Sequence, residues 1–135
     1  MPLLPRKGVL AITAVIDIAL HGRGRPVAAK ALASRHSLPP RHLEPVLQGL
    51  VRHGILRGIR GPRGGYELAR EQRRITAEDI LRAAGTDDEI NGAALAESLP
   101  ALGAAEHAFS AALARINVED LAHSAEHLGR AARDG

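Results

Sequence analysis

Apolar residues recur along this chain in patterns that predict helices at both ends and a short hairpin between them. The first pattern is apolar over most of a helical circumference, which is typical of a buried backing helix. Its apolar positions are Val9, Ile12, Val15, Ile16, Ala19 and Leu20. The glycine-rich residues 22–26 end it, and an alanine-rich helical segment with Leu32 as its main apolar anchor covers residues 28–36.

The next pattern is amphipathic and predicts a third helix after a turn at residues 37–39. Pro40 suits the first helical position, and Gly54 suits the left-handed residue that follows a helix end. Pro45 lies inside this helix, where its missing N–H predicts a kink or a distorted first turn. The apolar positions repeat at spacings of three and four residues: Leu43, Val46, Leu47, Leu50 and Val51.

A hairpin should follow this helix–turn–helix. Ile55, Leu56 and Ile59 lead into one strand, residues 60–65 form a Gly/Pro turn, and residues 66–68 return. We interpret the hairpin as the wing of a winged helix–turn–helix. The fold class is therefore mainly α with a small β-hairpin wing.

The last third of the chain predicts a long C-terminal dimerisation helix. Thr76 with Asp79, and the similar residues 116–121, look like helix caps. Between them a seam with heptad spacing predicts a dimer interface, although packing on the same chain is the alternative. The seam residues are Leu99, Leu102, Glu106, Phe109, Leu113 and Ile116. The predicted organisation is a DNA-binding domain at 1–84, an acidic loop at 85–98, and dimerisation and C-terminal helices at 99–135.

Charge is unevenly distributed along the chain. Residues 1–40 carry a balance of +5, residues 41–74 another +5, and residues 75–135 a balance of −7, although the total is only +3. This asymmetry indicates a polyanionic partner for the first half. The alternative is that the basic residues only keep a small domain soluble.

The basic residues of the helix–turn–helix and wing suggest double-stranded DNA as that partner. Arg41, His42 and Glu44 lie near the start of the predicted recognition helix, on the side away from its apolar positions. Arg60 and Arg63 lie at the wing tip, and Gly64 should let the backbone approach DNA closely. A winged-helix protein–protein interaction module without DNA function is the alternative.

Other kinds of chemistry find less support in the sequence. The chain has no cysteine, which excludes disulfides and thiolate-bound metals. His123 and His127 fit a zinc-peptidase pattern, but we interpret them as surface histidines on a helix and predict neither a metal site nor an enzyme. The apolar run after Arg6 is interrupted by Asp17 and is too short for a membrane span, so we expect a cytoplasmic protein with no membrane partner.

The wing carries a family resemblance. Arg60-Gly-Pro-Arg-Gly-Gly-Tyr-Glu-Leu68, after a helix containing Leu43-Glu44, resembles the motif of the Rrf2 family of bacterial winged-helix regulators. The likeness extends over residues 8–128. It implies a homodimer with crossing C-terminal helices whose recognition helices meet a palindromic operator. It assigns minor-groove contact to Arg60 and base contacts to Arg41, His42 and Glu44.

The sequence departs from the family pattern in the segment where cluster-sensing members bind their iron–sulfur cluster. Cluster-sensing members carry three cysteines between the fourth helix and the dimer helix, whereas residues 85–98 contain none. We therefore predict a dimeric transcriptional repressor without an iron–sulfur cluster or other cofactor. Three alternatives remain for its control: a small-molecule effector, a protein effector, or no effector.

Overall fold

The computed structural model describes the backbone of residues 6–85 and 100–134, with side chains for residues 6–85 and 107–126. Two antiparallel strands, β1 (Leu56–Ile59) and β2 (Gly65–Leu68), lie between helices, and a short 3-10 helix (Gln72–Arg74) follows them. The helices are α1 (Arg6–His21), α2 (Ala29–Arg35), α3 (Pro40–Arg52), α4 (Ala77–Ala84), α5 (Pro100–Ala114) and α6 (Val118–Asp134). The predicted winged helix–turn–helix is confirmed. Residues 86–98 of the predicted acidic loop lie outside the described residues.

The core is aliphatic, and it determines which side of α3 faces outward. Leu43, Leu47 and Leu50 are fully buried, which confirms the predicted inner face of this helix. They belong to one cluster with Leu32 of α2 and Ile80 of α4. Each fully buried leucine contributes about 1.5–3 kcal/mol, so the opposite face of α3 is left for solvent or a partner.

Helix α1 is the predicted backing helix, but it is not buried on nearly all sides as its apolar pattern suggested. It packs against α3, α4 and α6 through Ala11, Ala14, Val15 and Ile18. Val9, which the pattern grouped with the buried positions, is 45% exposed. A helix that is apolar on nearly all sides gives no signal for the face that packs inward.

Helix α3 ends as predicted at a left-handed glycine. Gly54 has φ +73°. Its N–H donates to the carbonyl of Val51 at 3.0 Å, and the N–H of Ile55 donates to that of Leu50 at 2.9 Å. These two bonds form a Schellman motif, which sets the angle at which the chain leaves α3 for the wing.

Pro45 does not interrupt α3, which is continuous from Pro40 to Arg52. The opening turn contains a bond from the His42 N–H to the Pro39 carbonyl, 3.0 Å long and spanning three residues rather than four. The ring of Pro45 lies on the exposed side of the helix.

The wing is a hairpin with a third backbone segment against it. Leu56 pairs with Leu68, and Ile59 pairs with Gly65. Val27 and Tyr66 exchange two N–H to carbonyl bonds of 2.8 Å. The backbone of Val27 lies so close that a Cβ on Gly65 would be 2.4 Å from its carbonyl oxygen. The fold itself therefore requires glycine at position 65, whether or not the wing contacts DNA.

Capping boxes begin α4 and α6, at the two places where the sequence predicted helix caps. Thr76 Oγ1 accepts from the Asp79 N–H at 3.1 Å, and the Thr76 N–H donates to Asp79 Oδ2 at 3.1 Å. Asn117 and Asp120 make the same reciprocal pair at 2.8 and 3.2 Å. Each box satisfies helix N–H groups that would otherwise lack a partner.

The two boxes also bind each other. The Ala77 N–H donates to the Ile116 carbonyl, and the Val118 N–H donates to the Ile75 carbonyl, both at 2.8 Å. Ile75 and Val118 are fully buried beside this bridge. Through it α6 returns to the core formed by α1, where Ala122 is also buried. None of the helices described in residues 6–85 and 100–134 combines the length and apolarity of a membrane span.

A buried charge links α1 to the helix–turn–helix. Asp17 is 2% exposed. Arg35 donates from Nε and Nη2 to its two oxygens at 2.9 and 2.7 Å, and His36 Nε2 lies 2.7 Å from Oδ2. Burial raises the pKa of Asp17, but the hydrogen bonds from Arg35 and His36 outweigh burial and hold it below its ordinary value.

We expect Asp17→Asn to lower the free energy of unfolding by about 2–3 kcal/mol at neutral pH, because charge-assisted bonds are lost inside the protein. Glu71→Gln is the control, since the Glu71–Arg73 pair is exposed and is worth about 0.5 kcal/mol. Urea unfolding followed by circular dichroism measures both. Equal losses in the two variants would contradict the buried-pair interpretation.

The same pair should make stability depend on pH. Because the pKa of Asp17 is lowered in the folded state, its stabilisation is present above the ordinary value of 3.8 and is lost as the pH falls through the lower folded value. The stabilities of the wild type and Asp17→Asn should therefore converge in acid. A stability difference that stays constant down to acid pH would refute this linkage.

Gly65→Ala should destabilise the fold by about 1–3 kcal/mol, because its methyl group collides with the Val27 backbone. Gly58→Ala, one strand away, is the matched control. A Cβ there meets nothing within 4 Å, so this change should be close to neutral. Thermal unfolding compares the two, and a similar cost at both positions would argue against the close approach at Val27.

Candidate nucleic-acid interface

The outer face of α3 carries the residues predicted to contact bases. Arg41, His42 and Glu44 are all exposed, opposite the buried leucines. Gln48, one turn beyond Glu44, is exposed on the same helix. The face has the width of one helix and no described element covers it, as insertion into a major groove requires.

Contacts at both ends hold α3 in place. At its start, the Leu38 N–H donates to the Ala33 carbonyl at 2.9 Å. At its end, Arg70 Nε donates to the Gly54 carbonyl at 3.1 Å, and Arg70 also approaches Asp79 of the α4 cap at 3.7 Å. A cation at the carboxyl end of a helix is electrostatically favourable. Arg70 was not predicted from sequence, because it lies 16 residues from the carbonyl that it binds.

The wing tip presents two arginines on a tight turn. Arg60 and Arg63 are exposed, and neither forms an ion pair within the part of the chain that the structure describes. Gly61 has φ +115°. The Gly64 N–H donates to its carbonyl at 2.9 Å, and a Cβ on Gly64 would be 2.1 Å from the Ile59 oxygen. The turn itself therefore requires glycine at 64.

A cleft of about 280 Å³ joins α3 to the wing. Gln48 and Val51 line it from α3, and Ile59, Arg60 and Tyr66 line it from the wing. Gln48 Nε2 lies 3.5 Å from the Tyr66 hydroxyl, at the limit of a hydrogen bond. Arg60 is thus brought beside the recognition helix, whereas Arg63 does not line this cleft. Helical spacing from Glu44 could have placed Gln48 on this face, but no pattern in the sequence indicated its contact with Tyr66 of the wing.

The arginines of the wing differ in whether an ion pair balances their charge. Arg57 Nε donates to Glu67 Oε1 across the hairpin at 2.9 Å, so its charge is balanced. Arg60, three residues on, has no such partner among the described residues. The positive potential of the wing is therefore concentrated at its tip.

The predicted dimer seam is described only in part. Phe109 and Leu113 are half-buried on α5, and Ile116 is 37% exposed. Helix α5 ends at Ala114, so Ile116 lies in the bridge to α4 rather than on the helix. Leu99 and the side chains of Leu102 and Glu106 lie outside the described residues.

The remaining candidate was the histidine pair of α6. His123 is exposed, and the side chain of His127 lies outside the described residues. Among the side chains that the structure describes, no three histidine, aspartate or glutamate groups converge as a metal site would need.

Comparisons with known proteins agree with this geometry. The transcriptional regulator IscR of Xenorhabdus nematophila is 35% identical over 80 residues, which is 59% of this chain and 49% of that protein. The chain thus spans about half the length of the curated relatives it matches. Among solved structures, T. potens IscR has a TM-score of 0.74 at 27% identity, over 94% of this chain and 90% of that one.

A second solved structure is that of CymR, the global cysteine regulator of B. subtilis, with a TM-score of 0.69 and 29% identity. The match covers 92% of this chain and 98% of CymR. The sequence model of the Rrf2 family, described as an iron-dependent transcriptional regulator, matches residues 4–124. The family model covers most of this chain, which also has the winged helix and the wing motif. This chain therefore belongs to the Rrf2 family of transcriptional regulators.

Proposed function

We propose that this protein is a homodimeric, DNA-binding transcriptional repressor that recognises a palindromic operator. The observation that carries the proposal is the joint outer surface of α3 and the wing. Arg41 and Arg60 are exposed there without ion pairs among the described residues, and Arg60 lies beside α3 across a shared cleft. The relatives are named as transcriptional regulators, which favours this function over a protein-binding module or an enzyme.

Each surface residue has a chemical role in the proposal. Arg41 and His42 donate to base edges or phosphates, and Glu44 accepts from a cytosine amino group and repels other edges. Arg60 enters the minor groove, whose narrow segments attract arginine. Arg63 holds a phosphate, and Gly64 keeps the tip thin enough to approach the backbone.

The dimer rests on the apolar seam of α5. Phe109 and Leu113 are four residues apart and only half-buried within one chain. A second copy would cover them, and two recognition helices would then meet two half-sites related by the same symmetry. We also propose that the protein works in the cytoplasm, where its DNA is.

Iron dependence, part of the family's description, does not fit a cysteine-ligated site in this chain. The sequence contains no cysteine, so the thiolate donors of such a cluster are missing. The stretch in which the family resemblance places these ligands falls in residues 85–98, nearly all outside the described residues. An effector of this protein, where there is one, is therefore a small molecule or a protein that needs no thiolate.

Genomic fragments that carry the operator should bind this protein with an affinity that falls steeply as salt rises, because phosphate contacts release counterions. Arg60→Ala should weaken operator binding by about 1–3 kcal/mol and reduce the salt slope by about one. Fluorescence anisotropy over a salt series measures both quantities.

Arg74→Ala is the charge-matched control. Arg74 is exposed on the 3-10 helix, outside the proposed surface. This variant should bind operator within about twofold of the wild type, as surface changes away from a site do. An equal loss in both variants, or no preference of the wild type for any genomic fragment, would refute sequence-specific recognition through the wing.

Sedimentation should give a mass twice the 14.3 kDa of one chain. Phe109→Asp should shift this mass toward the monomer, because it places a charge in the apolar seam. Ala111→Asp, on an exposed position of the same helix, should leave the dimer intact. A monomeric wild type would contradict the dimer, and circular dichroism checks that both variants keep their helix content.

A further inference from the structure

A second and larger cleft lies along α3 on the side away from the wing. Its volume is about 590 Å³, and it opens between α3, the start of α1 and the end of α4. This size is in the range of small-molecule sites. We call it the basic cleft after the residues of its rim: Arg6, Lys7, Arg41, His42 and Arg52.

The described rim concentrates positive charge. All five of its side chains are basic types, and none of the described residues that line the cleft is an aspartate or a glutamate. Arg6, Arg41 and Arg52 form no ion pairs in the described part of the chain. Other arginines of the described part do form ion pairs, as Arg35 does with Asp17. Three arginines without ion pairs among the described residues, placed around a concave surface, focus positive potential and attract an anion.

The floor of the cleft is apolar, formed by Leu10, Val46 and Ala84, and the exposed ring of Pro45 also lines the cleft. Val46 is only 4% exposed, and Leu10 and Ala84 are half-buried. A DNA phosphate has no apolar group that could be buried favourably against this floor. A ligand with both an anionic head and an apolar tail uses the rim and the floor together.

We propose that the basic cleft binds a small amphipathic anion, with its carboxylate or phosphate held by the rim arginines and its tail on the apolar floor. Arg41 and His42 belong to both the cleft and the proposed base-reading face. The bound anion therefore competes with DNA for them. This competition rests on the proposed DNA-binding function, whereas binding of the anion does not.

Octanoate is the probe, and isothermal titration calorimetry with the full chain measures its binding. One octanoate should bind per chain, and each methylene removed toward butanoate should weaken binding about threefold to fourfold. Octylamine, which has the same tail and the opposite charge, should bind at least tenfold more weakly. Equal binding of octanoate and octylamine would overturn the proposal.

Variants locate the site. Arg52→Gln should weaken octanoate binding about tenfold, while Arg52→Lys should retain most of it and Arg74→Gln should match the wild type. Unchanged binding by Arg52→Gln would place the anion elsewhere. Circular dichroism establishes that each variant is folded, and the lysine variant keeps the test decisive if the glutamine variant unfolds.

Two further outcomes separate the alternatives. If inorganic phosphate binds as tightly as octyl phosphate, the cleft serves only the DNA backbone and the proposal fails. Octanoate should also weaken binding of a DNA duplex more than acetate does at the same ionic strength. Octanoate binding that leaves duplex affinity unchanged would overturn the competition. Absence of duplex binding in the free protein would instead refute the proposed function, while the calorimetry still decides on the cleft.

Discussion

The close approach of α3 to α4 at Gly49 is the constraint on which the geometry of the proposed DNA surface depends. A Cβ at this position would be 2.8 Å from the Ala83 carbonyl oxygen, so only glycine fits. The chain has just two aromatic residues of the Phe, Tyr and Trp types, Tyr66 and Phe109. A core of small aliphatic groups reaches native packing density only when helices lie close together. The contact between Gly49 and Ala83 therefore determines the position of the outer face of α3.

Polar contacts fix what the aliphatic core leaves adjustable. Leucines and alanines specify burial, but they do not specify one orientation strongly, because dispersion contacts have no direction. Hydrogen bonds do. Arg35 and His36 on Asp17 orient α2, and Arg70 on the Gly54 carbonyl orients the end of α3. Loss of either set of hydrogen bonds should affect the angle at which α3 packs more than it affects whether α3 forms.

Local chemistry was predictable from the sequence, and distant contacts were not. The caps at Thr76 and Asn117 and the end at Gly54 follow from residues within four positions of each other, and all were confirmed. The bridge that joins the two caps spans about forty residues of chain, and no local pattern encodes it. Gly64 was interpreted as a point of approach to DNA, but the turn itself already requires glycine there, because a Cβ would be 2.1 Å from the Ile59 carbonyl oxygen. Asp17 interrupted an apolar pattern with no local explanation, because its partners Arg35 and His36 lie at and just after the end of the next helix.

The arrangement of ion pairs says more about specificity than net charge does. In residues 41–74, Arg57, Arg70 and Arg73 are ion-paired, and so are the acids Glu67 and Glu71. Glu44 is the acid in that segment that forms no ion pair with a described residue, and it is exposed on the same outer face of α3 as Arg41. Near phosphates this carboxylate opposes binding to DNA of any sequence. In the proposed complex, only an operator that offers an amino group at this position offsets that repulsion, so we propose that Glu44 reduces general affinity while it increases discrimination between sequences.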